Sequence, residues 1–168
     1  MDRQINLLRA MADPKTVEEN VIRRVQGMKA LGIPTVVTQQ YTKGLGPTVP
    51  AVAEALGAFE PIDKTSVSVI GEPVFAETLE NSTKGTVILA VIEAHICVEQ
   101  TALDLIRDGY RVALVTDCID SRNPQNKERT ILRLAQEGVV ITTYESVLYE
   151  LLGSAKAPEF KAISAIVK

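Results

Sequence analysis

The sequence predicts an α/β fold, a three-layer α/β/α sandwich around a mainly parallel sheet. Three observations carry that reading. Short runs rich in valine and isoleucine alternate with amphipathic stretches along the 168 residues, the order that right-handed βαβ crossovers produce. The run 87–92 is apolar without a break, as suits a parallel strand covered on both faces. Two helix starts share one form, a capping residue followed by proline, at Asp13-Pro14 and Asn123-Pro124.

Taken in order, the first helix begins at Asp13-Pro14, carries the stripe Val17, Val21, Val25 and Met28, and ends at Gly32. Residues 33–38 (IPTVVT) read as a buried, β-branched strand. The stretch 39–50 holds two glycines and two prolines and has the composition of a binding loop at a strand's carboxyl end. A short helical segment covers 51–56, and a short strand is expected within 62–69. Pro73 starts a helix to about Leu79. Gly85 then opens the apolar run, which must stop at Glu93. A helix starts around His95 or Ile96, with Val98, Ala102, Leu105 and Ile106 on one side, and Gly109 ends it. Residues 111–116 form another buried strand ending at Asp117. The helix from Asn123-Pro124 buries Ile131, Leu134 and Ala135 and closes at Gly138. Residues 139–142 make the last strand, and 144–152 and 159–167 are two closing helices.

The composition narrows the function. With 46% hydrophobic residues and no break in composition, residues 1–168 fit one domain with a substantial core. Eighteen basic against 21 acidic residues leave a formal charge of −3. The longest cationic cluster is Arg23-Arg24, so nucleic acid and anionic membranes are poor partners. No apolar run approaches the roughly 20 residues of a membrane span, and the amino terminus lacks a secretory core, so a cytoplasmic protein is expected. Cys97 and Cys118 lie in different elements and match no metal-ligand spacing; both are expected to be reduced thiols. Neither a dinucleotide fingerprint nor a phosphate loop occurs.

Cys97 falls where a strand's carboxyl end meets a helix's amino end, the place where open α/β sheets put ligands and where backbone N–H groups favour an anion such as a thiolate. Asp2 and Lys64 lie at similar positions. A thiol needs a nearby cation or helix terminus to become a nucleophile at neutral pH, and a carboxylate can take its proton and return it to a leaving group. Spacing alone does not select this set, because a single cysteine at a strand end is more often packing than catalysis. His95 lies two residues from Cys97 and does not face it on a helix. Cys118 reads as a packed side chain, and Asp117 and Ser121 as turn and cap residues.

The wider context selects it. The segment Val91-Ile92-Glu93-Ala94-His95-Ile96-Cys97-Val98, with Thr101-Ala102-Leu103-Asp104-Leu105, Gly109-Tyr110 and the stretch 117–122, resembles the nucleophile region of the isochorismatase-like cysteine hydrolases. Asp2-Arg3-Gln4 is similar to that family's D-x-Q motif, and Lys64-Thr65-Ser66-Val67-Ser68 to its K-x-x-x-S lysine motif. Thr38-Gln39-Gln40-Tyr41, the stretch 44–50 and the tail from Gly153 to Ile166 resemble the branch of isochorismatase domain-containing proteins. The likeness covers nearly the whole chain. It implies a triad in which Cys97 attacks a carbonyl carbon, Asp2 is general base and then acid, and Lys64 holds the thiolate and carboxylate charges. It also implies a cis peptide between Ile92 and Glu93, an oxyanion hole from the backbone N–H groups of Glu93 and Cys97, and substrate contacts from Gln40 and Tyr41.

Two departures shape the expectation. Metal-binding relatives carry an aspartate and histidines after the second strand, whereas this chain has Gln39-Gln40-Tyr41 there and His95 as its one histidine; no metal and no cofactor are expected. In the family the D-x-Q aspartate ends an apolar first strand in the middle of the sheet, yet only Met1 precedes Asp2 here. About one strand's length, roughly 5 to 8 residues, is missing: either the true start lies upstream, or the sheet has a gap at its centre. The expected function is a hydrolase of a small amide-like or related carbonyl substrate through a Cys97 thioester, assembled as a homodimer or larger. Its rival is a catalytically impaired binding or assembly protein of the same fold. A thiol sensor pairing Cys97 with Cys118 is a third reading, with no positive signal.

Overall fold

Two large apolar clusters on opposite faces of a parallel sheet layer, with a smaller one of Leu8, Met11, Val17 and Ile92, form the core of the computed structural model, which describes residues 4–168. In the first half a single helical turn, α1 (Ile5–Leu8), leads to α2 (Pro14–Ala30). The Asp13 carboxylate accepts a hydrogen bond from the Thr16 N–H and Pro14 supplies the preset first turn, so the capping signal is met. The stripe Val17, Val21, Val25 and Met28 is buried as its spacing requires. At Gly27 the helix approaches α8 (Tyr144–Leu152) so closely that a Cβ would lie 2.5 Å from the Leu148 side chain. After α2 come β1 (Thr38–Gln40), α3 (Thr42–Leu45), α4 (Pro50–Leu56) and β2 (Ile62–Lys64). A 3-10 turn, Val69–Gly71, and α5 (Pro73–Asn81) complete this half. β1 and β2 pair in parallel with Gln40 beside Lys64.

In the second half β3 (Thr86–Leu89) runs into a π-helical turn, Ala94–Val98, which widens before α6 (Glu99–Arg107). β4 (Arg111–Val115) and the 3-10 turn Thr116–Cys118 follow, then α7 (Pro124–Gln136), β5 (Val140–Thr142), α8 and α9 (Phe160–Val167). The order is β3-β4-β5, all parallel. One cluster packs Val21, Val25, Met28, Tyr144 and Leu148 against Ala90 and Val115. The other packs Val98, Ala102, Leu105 and Leu134 against Leu89, Val112 and Leu114. Parallel strands covered on both faces by helices are the predicted class.

The elements differ from expectation in several places: α1 and α3 are helical turns the sequence does not announce, and β3 ends at Leu89, short of Glu93. Of the run 33–38 only Thr38 belongs to β1; the first bond to β2 is accepted by the Val37 carbonyl from the Ile62 N–H at 2.9 Å, and residues 33–36 border a slot. The strand expected within 62–69 stops at Lys64, whose ammonium turns back on the next carbonyls and closes a loop. On α7, Thr130 and Leu134 are buried while Ala135 faces solvent.

Among the described residues the sheet is in two pieces, β1-β2 and β3-β4-β5. Between them lies a slot of about 580 Å³, bordered by residues 33–36 and Thr38 on one edge and by 84–91 on the other.

Candidate active site

Lys64 and Gln40 end neighbouring strands, and their register places both side chains at the carboxyl edge of the sheet. Lys64 is 2% exposed. Its Nζ donates to the carbonyls of Ser66 (3.2 Å) and Val67 (3.4 Å) and to Gln40 Oε1, and lies 3.7 Å from Cys97 Sγ. Gln40 in turn donates through Nε2 to the Thr65 carbonyl at 3.1 Å, and its Oε1 is 3.9 Å from Cys97 Sγ. Sulfur, ammonium and amide therefore meet at one point.

Cys97 reaches that point because β3 ends in the π-helical turn, in which the Val98 N–H bonds the Glu93 carbonyl at 3.3 Å. Such widened turns recur at functional sites. The Ile92–Glu93 peptide is cis. Ile92 bridges Asp120 and the Ala94 N–H bonds the Asp120 carbonyl at 2.8 Å, which fixes the turn against the segment that follows β4. The Glu93 carboxylate is committed elsewhere, to the Arg122 Nε at 2.9 Å and the Arg122 N–H at 3.2 Å. His95 Nδ1 lies 2.9 Å from Ser121 Oγ.

Two positioning groups escaped the sequence reading. The Gln4 side chain clamps the Gln40 backbone, accepting from its N–H at 2.7 Å and donating to its carbonyl at 2.9 Å, while donating also to the Gly46 carbonyl at 2.7 Å. Glu72 holds the loop that cradles Lys64: its Oε1 accepts from Ser66 Oγ (2.6 Å), Ser66 N–H (3.2 Å) and Thr65 N–H (3.2 Å). The Ser66 hydroxyl, followed by its N–H, holds the Glu72 pKa below the usual carboxylate value. No spacing flags a glutamate six residues from a serine, and the D-x-Q-like segment that holds Gln4 does not by itself announce a clamp on the Gln40 backbone.

The other expected residues fall as follows. Asp2 lies outside the described residues. Tyr41 is 54% exposed, with a left-handed φ of 40° and its ring packed on Gly44, where a Cβ would meet it at 2.4 Å. Gln40 is a neighbour of the lysine and the sulfur more than an open pocket wall. Cys118 is buried in the α2 face of the core. Asp117 accepts from the Tyr144 N–H at 2.9 Å at the end of β4, and burial raises its pKa. No group of three or more metal-ligating side chains occurs among the described residues.

Residues 1–146 match the Isochorismatase domain family. Isochorismatase domain-containing protein 1 of Danio rerio is 41% identical over 146 residues, which cover 87% of this chain and 51% of the relative. Isochorismatase domain-containing protein 2 of the same organism is 40% identical over 152 residues, covering 90% of this chain and 76% of the relative. The chain thus spans about half the length of the first of these relatives. A solved structure described as MAR1 ribonuclease from Caenorhabditis elegans superposes with a TM-score of 0.93 at 35% identity, covering 99% of this chain and 85% of the other.

Proposed function

The chain belongs to the isochorismatase family, and from that premise we propose that it is a cysteine hydrolase acting on a small amide-like or related carbonyl compound. One observation carries the reading: a lysine 2% exposed sits 3.7 Å from a cysteine sulfur at the carboxyl edge of a parallel sheet. A cation held there by carbonyls favours the thiolate over the thiol. In the proposed reaction the Cys97 sulfur adds to the carbonyl carbon, and the oxyanion is met by the backbone N–H groups of Glu93 and Cys97. The C–N bond breaks as Asp2 passes the former thiol proton to the leaving amine. Water then adds to the thioester with Asp2 as base, the C–S bond breaks, and the carboxylic acid and the Cys97 thiol result. Lys64 balances the negative charge throughout, and Gln40 holds Lys64. The proposal includes a reducing compartment, since oxidation would remove the nucleophile. It also includes self-association, supported by Val140 and Ile141, 44% and 39% exposed on the edge strand β5.

The name ribonuclease carried by the Caenorhabditis elegans structure is not extended to this chain. A formal charge of −3 and a site whose cation is 2% exposed offer no track for a polyanion.

A second reading has its own observation, the split sheet. It makes the chain a catalytically impaired binding or assembly protein of the same fold. Iodoacetamide alkylation of Cys97 from pH 5 to 9, resolved by peptide mass spectrometry, followed by an amide panel, separates the two. Alkylation already on its plateau at neutral pH with turnover of an amide, lost in Cys97→Ser, supports the hydrolase. A plateau without turnover of any amide supports the second reading. An ordinary thiol profile at Cys97 sinks the activated nucleophile altogether.

A further inference from the structure

Two groups of side chains flank the π-helical turn Ala94–Val98. Toward β1 and β2, Cys97 meets Lys64 and Gln40. Toward the segment after β4 lies a second group that the proposed reaction leaves unused: Glu93, His95, Ser121 and Arg122. Glu93 is 5% exposed. Its Oε1 lies 2.9 Å from Arg122 Nε, and its Oε2 accepts from the Arg122 N–H at 3.2 Å. His95 Nδ1 is 3.9 Å from the same Oε2 and 2.9 Å from the Oγ of Ser121, itself fully buried.

The support behind this group is fixed. Asp120 bridges Ile92, and its Oδ2 accepts from the Asp13 N–H at 2.8 Å, while the Ser121 carbonyl accepts from the Ala12 N–H at 3.3 Å. Backbone 120–121 is thus tied to the turn on one side and to the start of α2 on the other. Beyond it the Arg122 side chain is 60% exposed, yet it reaches inward to a carboxylate side chain only 6% exposed. A carboxylate out of water needs a cation or several donors. Among the described residues the ion partners of Glu93 are Arg122 and His95, and of these Arg122 carries the permanent charge.

Glu93 is also the residue whose backbone N–H, with that of Cys97, meets the oxyanion in the proposed reaction. A donor serves there only when it stands about 2.7–3.1 Å from the developing charge, and a misplacement on the order of 1 Å costs about 10²-fold. Side chain and N–H hang from the same Cα, so the place where the carboxylate is held decides where the N–H is aimed. Without the guanidinium the buried carboxylate turns toward water and swings the peptide at the head of the turn with it. The pair Arg107–Asp104 on α6 shows the contrast: both of its side chains are open to solvent, 74% and 30% exposed, and it orients nothing at the site.

We propose that Arg122 is a positioning residue for acyl transfer: through the Glu93 carboxylate it keeps the Glu93 N–H aimed at the oxyanion, a role that rests on the hydrolase reading. Arg122 acts through Glu93, and none of its hydrogen bonds reaches the sulfur. It therefore governs the steps that form a tetrahedral oxyanion and leaves the reactivity of the thiolate to Lys64 on the other flank. The two flanks divide the work, charge at the nucleophile on one and aim of the donor on the other.

The test compares two reactions of Cys97 in the whole chain, each followed by peptide mass spectrometry. With p-nitrophenyl acetate the thiolate adds to the ester carbonyl carbon, an oxyanion forms, the C–O bond breaks, and p-nitrophenolate departs from an acetyl thioester. With iodoacetamide the thiolate displaces iodide and no oxyanion forms. Arg122→Met is expected to slow acetylation about 30-fold, and to leave the alkylation rate and its pH profile within about twofold. Arg122→Lys keeps a cation within reach of Glu93 and should lose about threefold or less. Glu93→Gln added to Arg122→Met removes the buried charge, keeps an oxygen for the N–H of residue 122, and should recover most of the acetylation. As a control, Arg133→Met cuts the similarly exposed Arg133–Glu99 pair, 2.7 Å apart, and should leave both reactions within about twofold. Acetylation of Arg122→Met at the parent rate overturns the role of Arg122 alone, as do equal losses in Arg122→Met and Arg133→Met. An alkylation profile that moves together with acetylation also overturns it, by assigning Arg122 to the charge of the thiolate. A parent chain whose Cys97 takes no acetyl group overturns the hydrolase reading and this role with it.

Discussion

The two halves of this sheet are made from similar sequence and end in different states. In β3-β4-β5 the apolar runs pair across three strands, and Leu114 and Val115 at the centre are fully buried between the two clusters. In β1-β2 the equally β-branched run 33–38 enters a ladder only at Thr38. A strand is a property of its neighbours: side-chain pattern selects extended backbone, and a partner edge decides how many residues count as sheet. The functional groups sit on the seam, Gln40 and Lys64 from the open half and Cys97 from the closed one.

That contrast can be broken most forcefully in the core. Leu114→Ala, at 0% exposure on the central strand, should cost about 2–5 kcal/mol in denaturant unfolding. Val37→Ala, buried in the α2 face of the core, should cost about 1 kcal/mol. Equal losses at the two positions would mean that both halves are packed alike. Next in size is Lys64→Met, which leaves the packing volume nearly intact and removes the cation. Cys97 alkylation at pH 7 should fall about tenfold, and an unchanged rate would detach the two halves functionally. Smallest is a difference in pH response. Glu72, in the open half, has a lowered pKa, so its contribution is fully present above the ordinary glutamate value and is lost as pH falls through the folded one. Asp117, in the closed half, has a pKa raised by burial; protonation favours its folded state, and stability falls as pH rises from the ordinary aspartate value through the raised one. Melting curves between pH 3 and 7 should therefore move in opposite senses when Glu72→Gln and Asp117→Asn are each compared with the parent. Parallel shifts would refute the assignment.

Local signals were readable where one residue acts on its own backbone. Asp13 and Asn123 accept the cap bonds their positions imply, from Thr16 and Gln125, and α8 covers 144–152 as expected. Readings that depend on distant neighbours were less secure. The ends of β1 and β2 depend on what lies beside them, and Ala135 fell on the wrong side of α7 because Thr130, hydrogen-bonded to Glu99 at 3.0 Å, takes the buried place. At the site, the meeting of Lys64 with Cys97 came from motif resemblance, since 33 residues separate them. Gln4 and Glu72 act on peptide groups rather than on the sulfur, and no pattern of residue types announces that. Among the described residues no helix is long and apolar enough to cross a membrane.

The Gln4 clamp has a practical consequence. Gln40 is gripped through its backbone by Gln4 and grips Lys64 through its side chain. One residue is thus a mechanical linkage between the chain's leading end and the cation beside the nucleophile. Whatever pulls on that end, whether a purification handle, a surface tether or a fused protein, pulls on the ammonium two contacts away. α9 at the other end packs its Ile163 into the α2 face and touches none of these groups. Handles and anchors for assays of this protein belong after Lys168.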